Sequence, residues 1–289
     1  MQWLNAVVQG VLLGGLYALM AAGLSLMFGV MRIVNLAHGV LIVVAAYIGY
    51  VFVNNIGLPW VLSLVIVVLI MAALGYALQW GIFNRALAKA ELAPLLVAFG
   101  LAVVLAQLLQ ETFTADTRSI AIGTIGTDSI QVTEDIYIGM FPLITFIVGV
   151  VVIAAVQLFL NRAPLGRAMR AASDDVEIVR LMGIDSRQVY ALSTALALAT
   201  VGLAGMFIGT KTQFSPNYGD LVLIFAFEAV IIGGLGSLWG TLAGGIVLGV
   251  AQAVGSQINP AYGLLIGNLV FLVILAIRPQ GLLPKAVTT

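Results

Sequence analysis

Residues 58–80 read LPWVLSLVIVVLIMAALGYALQW and contain no charged side chain. A helix needs about 20 consecutive apolar residues to cross the hydrocarbon core of a bilayer. Eight further segments of similar character lie between polar breaks of the chain. They are residues 4–30, 39–54, 93–112, 140–161, 188–210, 221–235, 239–257 and 261–277. The sequence therefore predicts an all-α polytopic membrane protein with about eight or nine transmembrane helices in a single domain, 1–289.

The overall composition agrees with this class of protein. Of the 289 residues, 62% are hydrophobic and 8% are charged, whereas a soluble domain carries about 25% charged residues. The formal net charge is zero, so nucleic acid is not expected as a partner. The chain has no cysteine, which excludes disulfides, iron–sulfur clusters and thiolate zinc sites. The N-terminal MQWLNAVVQG lacks the features of a signal peptide, so the first segment is expected to be a retained span.

The basic residues predict the orientation of the chain, because cytoplasmic loops are enriched in lysine and arginine. With the N-terminus outside and the C-terminus inside, only Arg118 and Lys211 are external. The other basic residues are then cytoplasmic: Arg32, Arg85, Lys89, Arg162, Arg167, Arg170, Arg180, Arg187, Arg278 and Lys285. This orientation requires an odd number of spans unless one segment is re-entrant. The short segment 221–235, which ends in glycines, is the candidate for a re-entrant or broken element.

The external loop 113–139 alternates β-branched and polar residues between glycines. This pattern indicates a short hairpin or an irregular cap on the external face. Its acidic residues are interpreted as a solvated face or a docking surface rather than a catalytic pair: Asp116, Asp128, Glu134 and Asp135.

The loop 161–190 is the longest cytoplasmic loop in this topology, and its sequence predicts a short helix with fixed ends. Asp174 followed by Glu177 is a capping-box pattern, so we expect the helix to begin at Asp175. Gly183 suits the position after the last helical residue. Asp185, with a glutamine three residues later, predicts the start of the next transmembrane helix.

The predicted loop helix is amphipathic, because Val176, Val179 and Met182 recur at intervals of three residues. One interpretation is an interfacial helix that only completes the loop. The favoured interpretation is a rigid lever that docks on a cytoplasmic partner, since two capping boxes around about ten residues specify more than a connector requires.

Three motifs resemble those of a known family. PLGRAMRAASDDVEIVRLMGI (164–184) is similar to the coupling loop of the permeases of branched-chain amino acid ABC importers (Liv-type). NLAHG (35–39) and GGLGSLWG (233–240) resemble two other stretches of that family, as does the opening segment 7–39. The resemblance implies a second permease subunit, identical or homologous, two cytoplasmic ATPase subunits, a periplasmic or extracellular substrate-binding protein and a lipid environment. It also implies a multi-pass location in the bacterial cytoplasmic (inner) membrane.

The resemblance further implies that the loop helix sits in a groove of an ATPase and transmits its closure. The residues expected to serve this coupling are Arg167, Arg170, Asp174, Asp175, Glu177, Val179, Arg180 and Gly183. The chain has no G-x-x-x-x-G-K-[ST] motif, so ATP is expected to be bound and hydrolysed by partner subunits. We therefore expect no enzymatic activity and no cofactor in this chain.

Polar or glycine residues at breaks within the apolar segments are the candidates for a substrate pathway. They are Asn35, His38, Gly39, Glu228, Gly233, Gly234, Gly236 and Ser237. Glu228 either recognises a polar substrate group or is a structural acid between helices. The glycines either expose backbone groups to a ligand or allow close helix packing.

The NLAHG stretch is expected to lie at the inner edge of the membrane, past Arg32. Asn35 is expected to cap or turn the break, His38 to form a hydrogen bond across it, and Gly39 to let the next helix begin close to its neighbour. His38 is the only histidine, and no cysteine or acid accompanies it in the motif, so a metal site is not expected.

The function that follows is an importer permease for branched-chain or other small amino acids. Within the same family, urea, short amides or other small organic solutes are alternative substrates. Two other classes are more remote. One is an intramembrane protease that uses Ser237 and His38, although Ser237 lacks a G-x-S-x-G context. The other is a secondary transporter, for which only Glu228 supplies a mid-span charge.

Overall fold

The computed structural model describes residues 2–90, 92–122, 128–133 and 136–283. The first half of the chain forms α1 (Gln2–Met31), α2 (His38–Tyr50) with a π-turn (Val51–Asn55), α3 (Trp60–Leu78) with a π-turn (Gln79–Phe83), α4 (Asn84–Leu87) and α5 (Ala93–Phe113). A hairpin of β1 (Ser129–Thr133) and β2 (Ile136–Gly139) follows. The second half forms α6 (Met140–Arg162), α7 (Pro164–Asp174), α8 (Val176–Leu181), α9 (Ser186–Lys211), a 3₁₀ turn (Pro216–Tyr218), α10 (Gly219–Gly233), α11 (Leu238–Ile258) and α12 (Tyr262–Ile277).

The predicted fold class is confirmed. Within the described residues, eight helical segments are long and apolar enough to cross a membrane, and α12 is a shorter apolar helix. Each of the nine segments predicted from the sequence corresponds to one of these helices. The uncertain segment 221–235 is α10, which together with the preceding 3₁₀ turn forms one of the eight candidate spans.

The two ends of the bundle differ in what they carry. The hairpin end carries β1 and β2, and there Gln9 Nε2 of α1 donates to the Tyr137 carbonyl at 2.6 Å. The loop end carries α7 and α8, and there the amides of Leu282 and Leu283 donate to the carbonyls of Ile232 and Gly233. The chain thus starts at one end and reaches residue 283 at the other, as an odd number of crossings requires. Which end faces the cytoplasm stays a prediction.

Helix α1 lies at the centre of the bundle and is buried along most of its length. Its tightest neighbour is α11, because glycines face each other across the contact. A methyl group added at Gly14 would lie 2.7 Å from the Gly245 carbonyl oxygen, and one added at Gly249 would lie 2.6 Å from the Gly14 amide nitrogen. Small residues at such contacts let membrane helices approach backbone to backbone. Van der Waals contacts then hold the helices together, because the lipid surroundings provide no hydrophobic driving force for their association.

The peripheral helices α3 and α5 present large apolar side chains outward. On α3 these are Val61, Leu62, Val65, Leu69 and Ile70, and on α5 they are Leu96, Phe99, Val103, Val104 and Leu108. Soluble monomers rarely expose an apolar surface of this extent. The pattern is that of helices whose outer faces contact lipid acyl chains, and it supports a multi-pass membrane location.

The hairpin predicted within the external loop is confirmed. Strands β1 and β2 pair antiparallel, with Ser129 opposite Gly139 and Ile130 opposite Ile138. The acidic residues Glu134 and Asp135 lie outside the described residues. The segment before the hairpin is tied to the chain after α9, because the amides of Arg118 and Phe214 donate to each other's carbonyls at 2.8 and 2.9 Å.

Candidate functional site

The break between α1 and α2 is a compact turn organised by Asn35. The backbone leaves α1 through Arg32, which has φ of 55°, a conformation that a residue with a side chain adopts only at a cost. The Asn35 side-chain oxygen accepts from the Ala37 amide at 3.0 Å, and the Asn35 carbonyl accepts from the His38 amide at 3.1 Å. Asn35 therefore turns the break, which confirms one of its two predicted roles. The other is wrong, because the N-cap of α2 is Ala37 and no side chain among the described residues caps the helix.

His38 is fully buried and bridges α2 to α1. Its Nε2 donates to the Met20 carbonyl at 2.7 Å, since a carbonyl oxygen only accepts, and the ring lies beside Gly23. The predicted hydrogen bond across the break is thus present, but the expected location at the membrane edge is wrong. The chain turns back into the bundle after Met31, so α2 begins level with the interior of α1 rather than at its end.

Gly39 allows α2 to begin in backbone contact with α10. A methyl group at Gly39 would lie 2.8 Å from the Leu223 amide nitrogen, and one at Gly219 would lie 2.9 Å from the Val40 amide nitrogen. The predicted close approach is confirmed, and α10 is the neighbour. The start of α2 and the start of α10 therefore meet inside the bundle.

The glycine-rich break 233–237 joins α10 to α11 by a tight reversal. Gly234 and Gly236 have φ of 107° and 79°, which only glycine adopts readily, and Ser237 Oγ accepts from the Gly240 amide at 3.1 Å as the N-cap of α11. A methyl group at Gly233 would lie 2.6 Å from the Thr241 amide nitrogen. Close helix packing thus accounts for Gly233.

Gly236 and Ser237 also line a cavity of about 280 Å³ at the loop end of the bundle. Ser25 and Gly29 of α1 and Arg170 of α7 form other parts of its wall. The structure therefore divides the candidate pathway residues into two groups. Asn35, His38 and Gly39 lie inside the bundle, whereas Gly236 and Ser237 face this cavity.

Glu228 of α10 is 4% exposed and faces α12. With the Asn268 amide oriented to satisfy both of its neighbours, its nitrogen donates to Glu228 Oε1 at 2.9 Å and to the Leu264 carbonyl at 3.2 Å. The other carboxylate oxygen, Oε2, has no hydrogen-bond partner among the described residues. The structure supplies the partner that a structural acid requires. A substrate-recognition role for Glu228 stays a prediction.

A second buried polar pair lies nearby, where α1 meets α11. Tyr17 donates its hydroxyl hydrogen to Gln252 Oε1, and the Tyr17 ring packs on Phe225 of α10 with centroids 5.0 Å apart. Asn268 and Gln252 are polar residues that the sequence reasoning missed. They could have been found as amides within apolar segments, since such side chains form hydrogen bonds between membrane helices.

The arrangement of Ser237 and His38 does not form a protease dyad. The Ser237 hydroxyl caps α11, and the His38 Nε2 donates to Met20. A serine nucleophile needs its base within hydrogen-bond reach. Both side chains have other partners, so this alternative loses its structural basis.

The loop between α6 and α9 contains two helices rather than one. Helix α7 was not predicted, although Pro164 at its first turn is a helix-start signal. Arg170 Nη1 and Nη2 donate to the Asn161 side-chain and main-chain oxygens at 3.2 and 3.3 Å, and Arg167 donates to the Arg162 carbonyl at 2.8 Å. Arg167 and Arg170 therefore brace α7 against the end of α6.

Helix α8 has well-defined ends. Asp175 is its N-cap and accepts from the amides of Glu177 and Ile178 at 2.8 and 3.1 Å. The predicted cap at Asp174 is wrong by one residue, because Asp174 is the last residue of α7 and only Asp175 is extended.

The C-terminal signal of α8 is confirmed. Gly183 has φ of 79°, and the amides of Gly183 and Ile184 donate to the Arg180 and Val179 carbonyls at 3.0 and 3.2 Å, a Schellman motif. Asp185 then caps α9 by accepting from the Arg187 amide at 2.9 Å, as predicted.

The apolar residues of α8 face two ways. Val179 is buried and Arg180 Nε donates to Ser186 Oγ at 2.9 Å, so this side is fixed to α9. Ile178, Leu181 and Met182 are 55%, 88% and 72% exposed. We call these three residues the apolar tip. The predicted stripe of Val176, Val179 and Met182 is wrong at Met182, because the helix ends at Leu181 and the turn into Gly183 directs Met182 outward.

These features define a multi-pass membrane protein built on interrupted helices, an architecture found among membrane transporters. A family model described as the permease component of branched-chain amino acid transport systems matches residues 6–275, so the chain belongs to this family. It is a family of transport permeases and not of enzymes.

The names of similar proteins are consistent with this family. The chain is 28% identical to the high-affinity branched-chain amino acid transport system permease protein BraD of Pseudomonas aeruginosa, over 98% of this chain and 96% of that protein. It is 26% identical to the Escherichia coli permease protein LivH over the same shares. It is 32% identical to the Escherichia coli permease protein LivM over 43% of this chain and 30% of LivM. PsaBC from Streptococcus pneumoniae, solved in complex with a Fab, has a similar fold (TM-score 0.50, 15% identity, 96% and 92% of the two chains).

Proposed function

We propose that this chain is one of two permease subunits of an ABC importer, and that it lines the pathway for branched-chain or other small amino acids. Two cytoplasmic ATPases drive the import, and a substrate-binding protein delivers the substrate at the hairpin end. The observation that carries the proposal is the apolar tip on a rigidly capped helix at the loop end of the bundle.

The geometry of α8 suits the transmission of force. An isolated helix of six residues would not be stable in water, because nucleation is costly. Here the Asp175 cap, which is worth about 1 kcal/mol, the Schellman motif at Gly183 and the bond from Arg180 to Ser186 hold it as one body with α9. A groove that accepts the apolar tip would therefore move α9 when it moves α8.

The apolar tip also indicates a protein partner. Three large apolar side chains exposed together on a water-facing loop mark an interaction site. The neighbouring side chains of Glu177 and Arg180 on α8 are exposed and charged, as is typical of the rim around the apolar centre of an interface. In this chain the coupling function is thus carried by the tip, while Asp175, Val179, Arg180 and Gly183 hold its shape.

The breaks between α1 and α2 and between α10 and α11 suit a small zwitterionic substrate, because transporters bind charged termini at breaks of this kind. The second break lines the cavity of about 280 Å³ with Gly236 and Ser237. Both LivH and LivM are named as permease proteins of a branched-chain amino acid transport system. We infer from this that a second, different permease completes the pathway here. Urea, short amides or other small organic solutes are the alternative substrates.

The coupling proposal is tested with Leu181→Glu and Met182→Glu, each compared with the conservative control Leu181→Met. The complex is purified with its ATPases and binding protein, and ATP-dependent uptake of leucine into proteoliposomes is measured. We expect both charged variants to lose ATPase association and uptake, while the control retains both. The helix content and thermal stability of the permease should be unchanged in all three. Normal uptake by both charged variants would refute the assignment of α8.

Two further outcomes separate the other functions. Uptake by the chain alone, without ATP or partners, would favour a secondary transporter. Competition of leucine uptake by urea or acetamide at the binding protein would identify the alternative substrate class.

A further inference from the structure

A cavity of about 490 Å³ opens at the loop end of the bundle, where α3, α4 and α9 meet. It is separate from the candidate pathway and from the apolar tip. Its wall is formed by Trp80, Asn84, Arg85, Ala88, Lys89 and Arg187. Three of these six residues are cationic, and they come from two elements that are distant in the sequence.

The cationic side chains of the cavity form no ion pair in the part of the chain that the structure describes. None of Arg85, Lys89 and Arg187 has a carboxylate oxygen within 4.0 Å there. The nearby carboxylate of Asp185 accepts from the Arg187 amide as the cap of α9 and is not part of the cavity wall. Glu91 lies outside the described residues and is addressed by the experiment below. The cavity thus concentrates positive charge that a ligand with negative charge would offset.

The wall of the cavity is fixed by a chain of hydrogen bonds. Asn84 Nδ2 donates to the Arg187 carbonyl at 3.2 Å, and the Asn84 side-chain oxygen accepts from Gln79 Nε2 at 3.0 Å. Gln79 Oε1 in turn accepts from Thr194 Oγ1 at 2.8 Å, and both of these side chains are buried. These bonds join α4 to α9 through the π-turn Gln79–Phe83, and turns of this kind occur frequently at functional sites. The backbone of Arg187 is therefore held beside α4 by the fold.

Trp80 and Tyr76 indicate that the cavity opens on the lipid-facing side of α3. The indole is 49% exposed and stacks on Tyr76, one turn earlier on α3, with ring centroids 6.1 Å apart and planes 7° apart. Trp and Tyr side chains concentrate at the level of the lipid headgroups. Above this pair, the outer face of α3 is apolar, as described for the lipid-facing helices. A molecule in the cavity therefore has a polar group among the cations and an apolar part along Trp80 and α3.

We propose that this cavity binds an anionic phospholipid, with the phosphate held by Arg85, Lys89 and Arg187 and the glycerol and acyl region packed on Trp80. Arginine and lysine clusters between helices at a membrane interface recognise phosphate headgroups, and each cation near the surface strengthens binding about fivefold. Because α4 and α9 are held together at this site, an occupied cavity stabilises the contact on which the first turn of α9 rests. The proposal does not depend on which substrate the chain transports.

The test measures binding of phosphatidylglycerol and phosphatidylcholine to the full-length detergent-solubilised chain by native mass spectrometry. We expect the anionic lipid to bind more tightly to the wild type. Arg187→Gln should weaken it about fivefold, and Arg85→Gln with Lys89→Gln should weaken it about 25-fold. Arg187→Lys should retain most of the affinity. Glu91→Gln should leave it unchanged or increase it.

The matched control is Arg162→Gln with Arg278→Gln, which removes two cations outside the cavity, in the last turn of α6 and just after α12. We expect its lipid affinity to remain within about twofold of the wild type, because each cation acts only near its own site. Equal binding of the two lipids, or an equal loss in the control, would overturn the proposal. Full displacement of the lipid by inorganic phosphate would identify a free anion site instead. Loss of lipid binding on assembly with the second permease, with cross-links from position 85, would identify a subunit interface instead.

Discussion

Replacement of His38 separates an architectural role from a chemical one. The ring is fully buried, and its Nε2 donates to the Met20 carbonyl at 2.7 Å. His38→Phe loses this hydrogen bond and puts a larger ring into a fully buried site, so we expect a loss of about 2 kcal/mol in the free energy of unfolding. His38→Ala also leaves a cavity the size of the imidazole ring, and the loss of stability should reach about 4 kcal/mol. His38→Gln retains an N–H donor and should lose less than about 1 kcal/mol.

The assay is chemical unfolding in mild detergent, paired with uptake into proteoliposomes across a range of pH. If the role is architectural, uptake follows stability in the order wild type, Gln, Phe, Ala, and the pH profile of the Gln variant matches that of the wild type. A Gln variant that is as stable as the wild type but inactive would refute this reasoning. The same holds if only protonatable residues at position 38 support uptake.

Three further outcomes test the packing and the capped loop. Gly23→Ala places a methyl group 2.6 Å from the Ala197 carbonyl oxygen, so we expect thermal unfolding to show a loss of about 1–3 kcal/mol in stability. The control Gly100→Ala, whose methyl group meets no atom within 4 Å, should leave stability unchanged. Asn268→Leu deprives Glu228 of its hydrogen-bond donor and should lower stability by about 1–3 kcal/mol. In a double-mutant cycle, Asn268→Leu combined with Glu228→Leu should recover most of that stability. Additive losses would show that the two side chains do not interact. Gly183→Ala should cost about 1 kcal/mol and speed amide exchange in residues 176–184, while Gly183→Asn should cost less; equal exchange in both would contradict the role of the left-handed turn.

The helical segments were predictable because their signal is one of length and apolarity. Nine predicted segments match nine helices, and differences at their ends are small, as for 140–161 against Met140–Arg162. The break at NLAHG and the turn at Asn35 were also predictable, since asparagine favours turns by bonding the backbone two residues on. How deep the break lies was not predictable, because depth depends on how α2 packs against α9 and α10.

Details that depend on tertiary contacts could not be predicted from the sequence. Asp174 and Asp175 are both suitable N-cap residues, although only Asp174 has the spacing of a capping box, and the end of α7 selects Asp175. Met182 has the spacing of a buried residue, but the turn at Gly183 leaves it exposed. The partner of Glu228 lies on a different helix, and no pattern within either segment connects Glu228 to Asn268. The cavity beside Trp80 likewise combines residues 80–89 with Arg187, which lies 103 positions after Asn84.

The contact between α1 and α11 has a consequence for how the protein is made. Tyr17 and Gln252 form a hydrogen bond across 235 positions of sequence, and the glycine faces beside them meet over the same interval. At about 5–20 residues per second, a ribosome needs roughly 10–50 seconds to reach α11 after α1 has entered the membrane. During that time the glycine groove of the first helix has no native partner. Nascent chains that stop before α11 therefore leave this groove of the central helix unfilled.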